Sequence, residues 1–290
     1  MHIRGYIYAI ISAIFFGSAG IFVKNGYSNN FTPVDLLMLQ YIIAGVILFF
    51  ICLFKYKKDL SLNSTTIKKL LIQGAIGNTL MTVFFYSSFK YLEVSVATML
   101  LYTYPAMVAL FSFLFFGEKI TRRKATAIIG TFLGCVLVLN IFSFEFNFEL
   151  KGILFGILSA VFYSFMNIYA QNLVDEVPPI VVTFYTTIFS LLVLIIFNFN
   201  FIEKLPYVTL NSLSNAALLA FFCEIIPLTL LYGAIKYIGP VITSIISTLE
   251  IPSAAIFSYF IMGEKFTLNQ ISGIVIIVFC VILLKKDDKN

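Results

Sequence analysis

The chain has 290 residues, of which 60% are hydrophobic and only 11% are charged, with a formal net charge of +5. Its mean hydropathy is +1.00. Because a water-soluble domain carries about 25% charged residues, this composition excludes a large soluble domain and favours a protein embedded in a membrane.

Ten apolar segments are long enough to cross a bilayer, which takes about 20 mostly apolar residues. In chain order they cover approximately residues 6–23, 34–54, 70–89, 94–116, 125–141, 152–171, 180–197, 213–235, 241–262 and 268–284. Prolines stand at several of the predicted helix starts, where the missing N–H is tolerated. The predicted fold is therefore an all-α integral membrane protein with ten transmembrane helices.

Basic residues predict the orientation of these helices. With the amino terminus in the cytoplasm, 14 of the 19 lysines and arginines fall on the cytoplasmic side and 5 fall outside. Cytoplasmic loops of membrane proteins carry such an excess of positive charge. We therefore expect a multi-pass protein of the cell (plasma) membrane with both termini in the cytoplasm.

The sequence repeats itself at an offset of 146 residues. Residues 86–121 and 232–267 align without a gap, and 10 of the 36 positions are identical, including a Gly-Glu-Lys turn in each copy. The chain thus divides into two five-helix units, residues 1–145 and 150–285. Since five is an odd number, matching helices must cross the membrane in opposite directions, which predicts two inverted repeats.

Three segments carry a family resemblance. Residues 15–26 read FFGSAGIFVKNG, residues 96–139 read VATMLLYTYPAMVALFSFLFFGEKITRRKATAIIGTFLGCVLVL, and residues 243–278 read TSIISTLEIPSAAIFSYFIMGEKFTLNQISGIVIIV. They resemble helix 1 and the two units of helix 4, turn and helix 5 in EamA-type proteins of the drug/metabolite transporter superfamily. The resemblance implies transport of amino acids, other metabolites or drugs. Many members have an arginine where this chain has Gln40, so an anion-binding role is not carried over.

Two acidic residues lie inside predicted helices. Glu224 falls in the eighth and Glu250 in the ninth. An ionised carboxylate at the bilayer centre costs about 3 kcal/mol even on mild insertion scales. Each side chain must therefore face a wet cavity, pair with a donor or remain protonated. Both are candidates for exchanging a proton or holding a cationic group.

The repeat gives each acid a polar counterpart: Asn78 for Glu224 and Tyr104 for Glu250. We expect these four groups to line one central space, helped by polar stripes at helical spacing. The stripes are Thr243, Ser247 and Glu250; Asn78, Thr82 and Tyr86; and Ser159, Tyr163 and Asn167. The alternative is that the hydroxyls and amides bridge helices structurally.

Aromatic rings and prolines lie near the predicted site. Three tyrosines could offer their faces to an amine or an aromatic substrate, although in a chain with 16 tyrosines and 33 phenylalanines packing explains them equally well. They are Tyr102, Tyr104 and Tyr163. Three prolines inside predicted helices are expected bend points or simple packing kinks, namely Pro105, Pro227 and Pro252. Asp35, near the predicted outer boundary, is interpreted as a gate or a solvated charge.

Side chains for metal and redox chemistry are scarce. The one histidine is His2, and the four cysteines lie in apolar runs without metal-type spacing. They are Cys52, Cys135, Cys223 and Cys280. This pattern predicts buried free thiols, with no metal or cofactor. A membrane enzyme is not expected, because no catalytic cluster of histidines or aspartates is visible.

The sequence as a whole predicts a secondary transporter of a small metabolite, such as an amino acid or an amine, that works by alternating access. Export is favoured by the resemblance, and energy must come from gradients because no phosphate-binding loop is present. A multidrug or other metabolite carrier is the alternative, and a membrane scaffold that does not transport is a further one. The expected partners are a small-molecule substrate and the lipid bilayer, with no nucleic acid.

Small residues four apart allow helices to approach closely. They are Gly130 and Gly134, and Gly152 and Gly156. Packing within one chain is the default interpretation, and homodimerisation is the alternative.

Overall fold

In the computed structural model, residues 2–19, 21–22, 32–141, 149–263 and 265–284 are described, and within these ranges the chain forms helices and connections without a strand. The short helices Lys57–Leu60, Phe201–Lys204 and Leu205–Tyr207 lie in connections between the longer helices of the described residues. Seven of the longer helices are given by one or two ranges. They are α1 (His2–Gly17), α2 (Pro33–Lys55), α4 (Val94–Leu101 and Tyr104–Phe116), α5 (Arg122–Val138), α6 (Leu150–Glu176), α7 (Pro179–Phe197) and α10 (Leu268–Leu284).

The other three helices contain irregular turns. Helix α3 joins Ser64–Ile72 and Thr79–Ser88 through the π-helical segment Gln73–Asn78. Leu210–Leu219, the π-helical Ala220–Ile225 and Ile226–Ser247 follow one another, but Gly239 has φ 74° and ψ 167° and breaks the run. We therefore call residues 210–238 α8 and residues 240–262, which include Glu250–Met262, α9.

Six helical stretches are long and apolar enough to cross a membrane. They are Val34–Lys55, Ser64–Ser88, Val94–Phe116, Leu150–Glu176, Pro179–Phe197 and Leu210–Ser247. Large apolar side chains on the outer helix faces are exposed, for example Phe115 at 75% and Phe260 at 77%. Such surfaces suit lipid rather than water, as expected for a multi-pass membrane protein. The number of spans stays a prediction.

Three predicted helices are shorter or less regular than expected. Helix α1 ends at Gly17, where the Ser18 N–H turns back to the Phe15 carbonyl, and helical backbone resumes at Ala19 and at residues 21–22; residues 23–31 lie outside the described ranges. The fourth and ninth helices are each interrupted near the middle, close to the prolines that the sequence indicates as bend points. The interruptions are at Tyr102–Thr103 and at Thr248–Leu249.

Proline explains both interruptions. Pro105 and Pro252 follow them by two or three residues, and neither can donate the i→i−4 hydrogen bond of a regular helix. The chain instead makes i→i−3 bonds, from Ala106 N to Thr103 O at 3.1 Å and from Ile251 N to Thr248 O at 3.2 Å. These two prolines therefore stand at bend points, as the sequence predicts.

The irregular features recur at the repeat offset. The interruptions in α4 and α9 stand 146 residues apart, and so do the left-handed glycines that end these helices, Gly117 (φ 66°) and Gly263 (φ 70°). The π-helical segments in α3 and α8 begin 147 residues apart. The repeat is therefore expressed in local backbone structure as well as in residue identity.

The two halves interlock rather than lie side by side. Helix α1 packs against α8 and α9, whereas α6 packs against α3 and α4, so the first helix of each half covers helices of the other half. Helix α2 packs on α7, and α5 on α10. Helices α1 to α5 of the first half correspond in order to α6 to α10 of the second. If each helix is replaced by its counterpart, the list of packed helix pairs stays the same. Any space near the centre is therefore lined by both halves.

Glycines permit two of these contacts. A Cβ atom on Gly134 would lie 2.9 Å from the Gly273 carbonyl oxygen of α10, and one on Gly156 would lie 2.6 Å from the Leu100 side chain of α4. Gly130 and Gly152 make similarly close approaches within the chain. Intrachain packing, the default interpretation of these glycines, matches their positions, while homodimerisation stays untested.

Asp35 is neither solvated nor open to a channel. Its side chain is fully buried at the start of α2, where it accepts hydrogen bonds from Lys204 Nζ at 2.6 Å and Asn198 Nδ2 at 2.8 Å. It also caps its own helix through the backbone N–H of Thr32 at 2.7 Å. The carboxylate thus ties α2 to the segment after α7, which corrects the interpretation as a solvated charge.

Candidate functional site

A cavity of about 260 Å³ lies between the two halves. We call it the central cavity. Its polar and aromatic lining comes from α2, α3 and α4 of the first half and from α6, α8 and α9 of the second. These residues are Gln40, Tyr41, Asn78, Thr82, Tyr86, Tyr102, Tyr163, Glu224 and Glu250, with Phe16, Phe85 and Cys223 among the less polar ones. Both intramembrane glutamates therefore meet in one space.

Glu224 is placed by the π-helical segment of α8. A π-turn holds one residue more than an α-turn and often marks a functional position; here Pro227 follows it, so the helix would lack a regular bond in any case. The Glu224 side chain is 5% exposed, and Thr187 Oγ1 of α7 donates to its Oε1 at 2.8 Å. The carboxylate is thus buried, with a donor on the neighbouring helix.

Asn78 holds the equivalent place in the first half, at the end of the π-helical segment of α3. Its Nδ2 donates to Tyr41 Oη at 2.9 Å and to Ser190 Oγ at 3.0 Å. Both amide hydrogens are therefore used within the protein. The Thr82 hydroxyl, also in the cavity lining, donates to the Asn78 carbonyl at 2.9 Å.

Glu250 lies directly after the interruption in α9, and Tyr102 lies in the interruption of α4. The Tyr102 and Glu250 side chains both line the central cavity. Helix α1 presses against the same turn, because a Cβ atom on Gly17 would lie 2.7 Å from the Glu250 carbonyl oxygen. The two helix interruptions thus bring a carboxylate and a phenol together at the cavity wall.

The rings of Tyr163 and Tyr104 are in contact, with centroids 4.3 Å apart and planes tilted by 41°. Tyr163 of α6 lines the cavity. Tyr104 is 1% exposed and donates to the Ser244 carbonyl at 3.1 Å. The expectation that Tyr104 lines the central space was therefore wrong; it packs behind Tyr163, because the interruption in α4 turns it towards α9.

Two other predicted lining residues point elsewhere. Asn167 is fully buried and donates to the Tyr163 carbonyl at 2.8 Å, and Ser247 donates to the Thr243 carbonyl at 2.9 Å. Neither is part of the cavity wall. The predicted stripe from Thr243 to Glu250 assumed a continuous helix, and the interruption at 248–249 breaks its register.

Two lining residues were missed by the sequence interpretation. Tyr41 was not considered, and Gln40 was noted only as a replaced arginine, yet both line the cavity. The repeat could have found Tyr41, since it stands 146 residues before Thr187, the partner of Glu224. A buried carboxylate requires a donor, and that donor's counterpart in the other half was the available signal.

A larger space of about 780 Å³ adjoins the central cavity. We call it the vestibule. The two share Phe85, Tyr86, Leu101, Tyr102 and Glu250. From there the vestibule runs to the α3–α4 and α9–α10 connections, where Lys265 and Gln270 line it. Glu250 therefore faces both spaces.

The corresponding region towards the other end of α4 and α9 is packed. Residues 240–248 of α9 are all buried, and Val108, Ile242 and Ile245 belong to one hydrophobic cluster. The hydrogen bond from Tyr104 to Ser244 joins the two helices in the same region. Residues 94–102 of α4 and 250–258 of α9 are thus separated by the vestibule. Their counterparts in the repeat, residues 240–248 of α9 and 104–112 of α4, are in contact.

The charge in the central cavity has one sign. Glu224 and Glu250 are the charged residues in its lining, and no lysine or arginine lines it in the part of the chain that the structure describes. Over the same residues, no group of three or more histidine, cysteine, aspartate or glutamate side chains could hold a metal ion. The arrangement offers acceptors and aromatic faces.

The comparisons with known proteins agree with this architecture. The EamA-like transporter family matches the chain twice, over residues 3–140 and 150–285. An uncharacterized transporter of Archaeoglobus fulgidus is 26% identical over 268 residues, which cover 91% of this chain and 90% of the relative. A solved crystal structure superposes with a TM-score of 0.81 and 16% identity and covers 100% of both chains, which shows a shared fold.

One relative has a more specific name. The pseudopaline exporter CntI of Pseudomonas aeruginosa is 24% identical over 158 residues, which cover 54% of this chain and 53% of the relative. The match therefore spans about half the length of each protein.

Proposed function

The chain belongs to the EamA-like transporter family, and on that premise we propose that it is a secondary transporter that moves a small metabolite across the cytoplasmic membrane by alternating access. The observation that carries the proposal is the central cavity, which both halves line and which contains two carboxylates inside an otherwise apolar protein. Carboxylates at such positions are costly and mark substrate or ion pathways.

The proposed topology has ten spans in two inverted five-helix repeats, residues 1–145 and 150–285, with both termini in the cytoplasm. The interchangeable helix pairs support it, as do the interruptions that recur at the repeat offset. In repeats of this kind, the substrate site lies where the repeats meet, and each half can adopt the packing of the other.

The proposed cycle follows from the unequal packing of α4 and α9. The vestibule is open beside Tyr102 and Glu250, whereas Tyr104 and Ser244 join the helices on the other side. In the predicted orientation, this is the state that opens outward. Exchanging the two packings would close the vestibule and open the cavity to the cytoplasm.

Glu224 and Glu250 would exchange a proton or hold a cationic group during this cycle. An amino acid or an amine is the proposed class of substrate, and Asn78, Thr82, Tyr102 and Tyr163 would contact it, with Tyr104, Asn167 and Ser247 behind them. Export is the proposed direction, which the name of the relative CntI supports.

A multidrug or other metabolite carrier of the same fold is the second candidate. The volume of about 260 Å³ favours small solutes, since pockets for drug-sized ligands span about 300–1,000 Å³. A substrate that bears phosphate would require cationic groups in the lining. A protein that does not transport is the weakest candidate, because it would not need two carboxylates in an enclosed cavity.

The test is uptake and efflux of amino acids and amines in proteoliposomes, with and without a pH gradient. Glu224→Gln and Glu250→Gln should each lower transport at least tenfold, while Glu203→Gln, at an exposed glutamate, should match the parent protein. If no solute crosses faster than in vesicles without protein, transport is refuted. If both cavity variants transport normally with unchanged pH dependence, the role of the acids is refuted.

A further inference from the structure

We propose that the central cavity selects a small organic cation, an amine or a guanidinium compound without a carboxylate, and that Glu250 is its counter-ion. The proposal rests on the proposed transport function and narrows its substrate class. It excludes zwitterionic amino acids as the preferred cargo.

The first argument is the sign of the charge. Glu224 and Glu250 are both acidic, and the described lining of the central cavity adds only neutral groups. Lys265 lies at the distant end of the vestibule and not in the central cavity. Interactions between charges are strong in a poorly solvated space, so a substrate carboxylate would be repelled, whereas an ammonium group would gain a partner.

The second argument concerns donors that could hold a substrate carboxylate. Interrupted helices can present free N–H groups to anions, but here these groups are occupied. At the α4 interruption, Tyr102 N donates to Thr98 O at 3.0 Å and Thr103 N to Leu100 O at 3.1 Å. At the α9 interruption, the amides of residues 248 and 249 donate to the carbonyls of residues 245 and 246.

The lining amide of Asn78 is also committed. Its two hydrogens go to Tyr41 and Ser190. A zwitterion would thus find a partner for its ammonium group, while its carboxylate would exchange water for neutral donors only, such as the Gln40 amide and tyrosine hydroxyls, beside two acidic side chains. An amine of the same size avoids this loss.

The third argument separates the two acids. Glu224 is 5% exposed and bonded to Thr187, while Glu250 is less buried and faces both the vestibule and the central cavity. A solute that enters from the vestibule therefore reaches Glu250 first. Tyr102 and Tyr163 stand in the same wall, and aromatic faces attract cations.

The test uses three solutes that share one ring: tyramine is a cation, tyrosine a zwitterion and tyrosol neutral. Protein-dependent transport of each is measured with the full-length chain in proteoliposomes, after subtraction of the rate in protein-free vesicles. Agmatine and arginine form a second matched pair. We expect each amine to move at least tenfold faster than its amino acid, and tyramine at least tenfold faster than tyrosol.

Two variants test the counter-ion. Glu250→Gln should lower tyramine transport at least tenfold, and Gln40→Arg, which adds a cation to the cavity wall, should do the same. Glu203→Gln should behave as the parent protein. Elution as a single folded species in size-exclusion chromatography checks each variant, and the arginine variant tests the charge even if the glutamine variant misfolds.

The outcomes separate the two proposals. If tyrosine or tyrosol moves as fast as tyramine, or if Gln40→Arg leaves tyramine transport unchanged, the cation proposal is overturned while transport stands. If amino acids move and neither amine does, the same conclusion follows. If nothing in this panel or in the wider screen moves, the proposed transport function itself fails.

Discussion

The hydroxyl of Thr187 and the carboxylate of Glu224 lie 2.8 Å apart, and the same relationship occurs in the first half between Tyr41 and Asn78 at 2.9 Å. Each pair is separated by 37 residues, and the pairs stand 146 residues apart. A contact between the second and third helices has thus been kept in both halves, although the chemical groups that make it differ. The acid is present in only one of them.

Removing the donor from Glu224 should destabilise the protein. Thr187→Val keeps the shape of the side chain but leaves a buried carboxylate oxygen unbonded, and such a loss costs about 1–3 kcal/mol. We expect a lower melting temperature in detergent. Thr187→Ser keeps the hydroxyl and should stay close to the parent protein, so equal effects of the two substitutions would contradict the role of this bond.

Loss of the hydrogen bond between Tyr41 and Asn78 should lower the melting temperature less than loss of the bond between Thr187 and Glu224. Tyr41→Phe removes one acceptor from Asn78, whose amide keeps its bond to Ser190 at 3.0 Å. We expect the melting temperature to fall less than in Thr187→Val. A larger fall in Tyr41→Phe would show that the bond to Tyr41, rather than that to Ser190, holds the amide.

Close packing at Gly17 should control the Glu250 turn. A Cβ atom there would lie 2.7 Å from the Glu250 carbonyl oxygen and 2.7 Å from Ser253 Cβ, so a side chain must push α1 away from α9. Overpacking of this kind costs about 1–3 kcal/mol. Melting temperature and transport should both decline from Gly17→Ala to Gly17→Val. Unchanged values in the valine variant would refute the contact.

Thiol labelling should distinguish the two sides of the central cavity. Thr98 lines the vestibule, whereas Ser244 is fully buried. A membrane-impermeant maleimide added outside whole cells should label Thr98→Cys at least tenfold faster than Ser244→Cys. The unsubstituted protein gives a low background, because its four cysteines are at most 6% exposed.

Two results of this labelling would contradict the proposals. Labelling of Thr98→Cys only after permeabilisation would contradict the predicted orientation. Faster labelling of Ser244→Cys would contradict the packed state of that side.

Removing either partner of the ion pair between Asp35 and Lys204 should lower the melting temperature, but by different amounts. Lys204→Met leaves the buried carboxylate with Asn198 and Thr32 as donors. Asp35→Ala instead removes the ion pair, the bond from Asn198 and the carboxylate half of the capping box, while the Thr32 hydroxyl still accepts from the backbone N–H of residue 35. The melting temperature should therefore fall more in Asp35→Ala, and the double variant should match it. A larger effect of Lys204→Met would refute this account.

The sequence predicts the helices well because apolar length and proline placement decide them. Helices α2 and α7, for example, lie within one residue of the predicted segments at each end. The two glutamates were also found from sequence, since an acid in a long apolar run can be tolerated only in a protected place. The repeat then pointed to Asn78 as the counterpart of Glu224, and Asn78 does line the cavity.

The sequence predicts the cavity wall less well, because helix regularity was assumed. Tyr104, Asn167 and Ser247 were placed on the faces of ideal helices. The interruption at residues 248–249 breaks the helical register after Ser247, so spacing along the sequence no longer predicts which residues share its face. Hydroxyls and amides can also donate to carbonyls of their own helix, as the Ser247 hydroxyl and the Asn167 Nδ2 do. Composition and spacing do not reveal that choice.

The crossing of α1 and α6 between the halves has a consequence for how such a protein can be divided. A chain cut between the halves would yield two pieces, each with an uncovered third helix and a first helix that has lost its neighbour. Neither piece is a complete unit, even though each has the full set of five segments. A gene that encoded one such unit alone would have needed a second copy of its product to cover these helices.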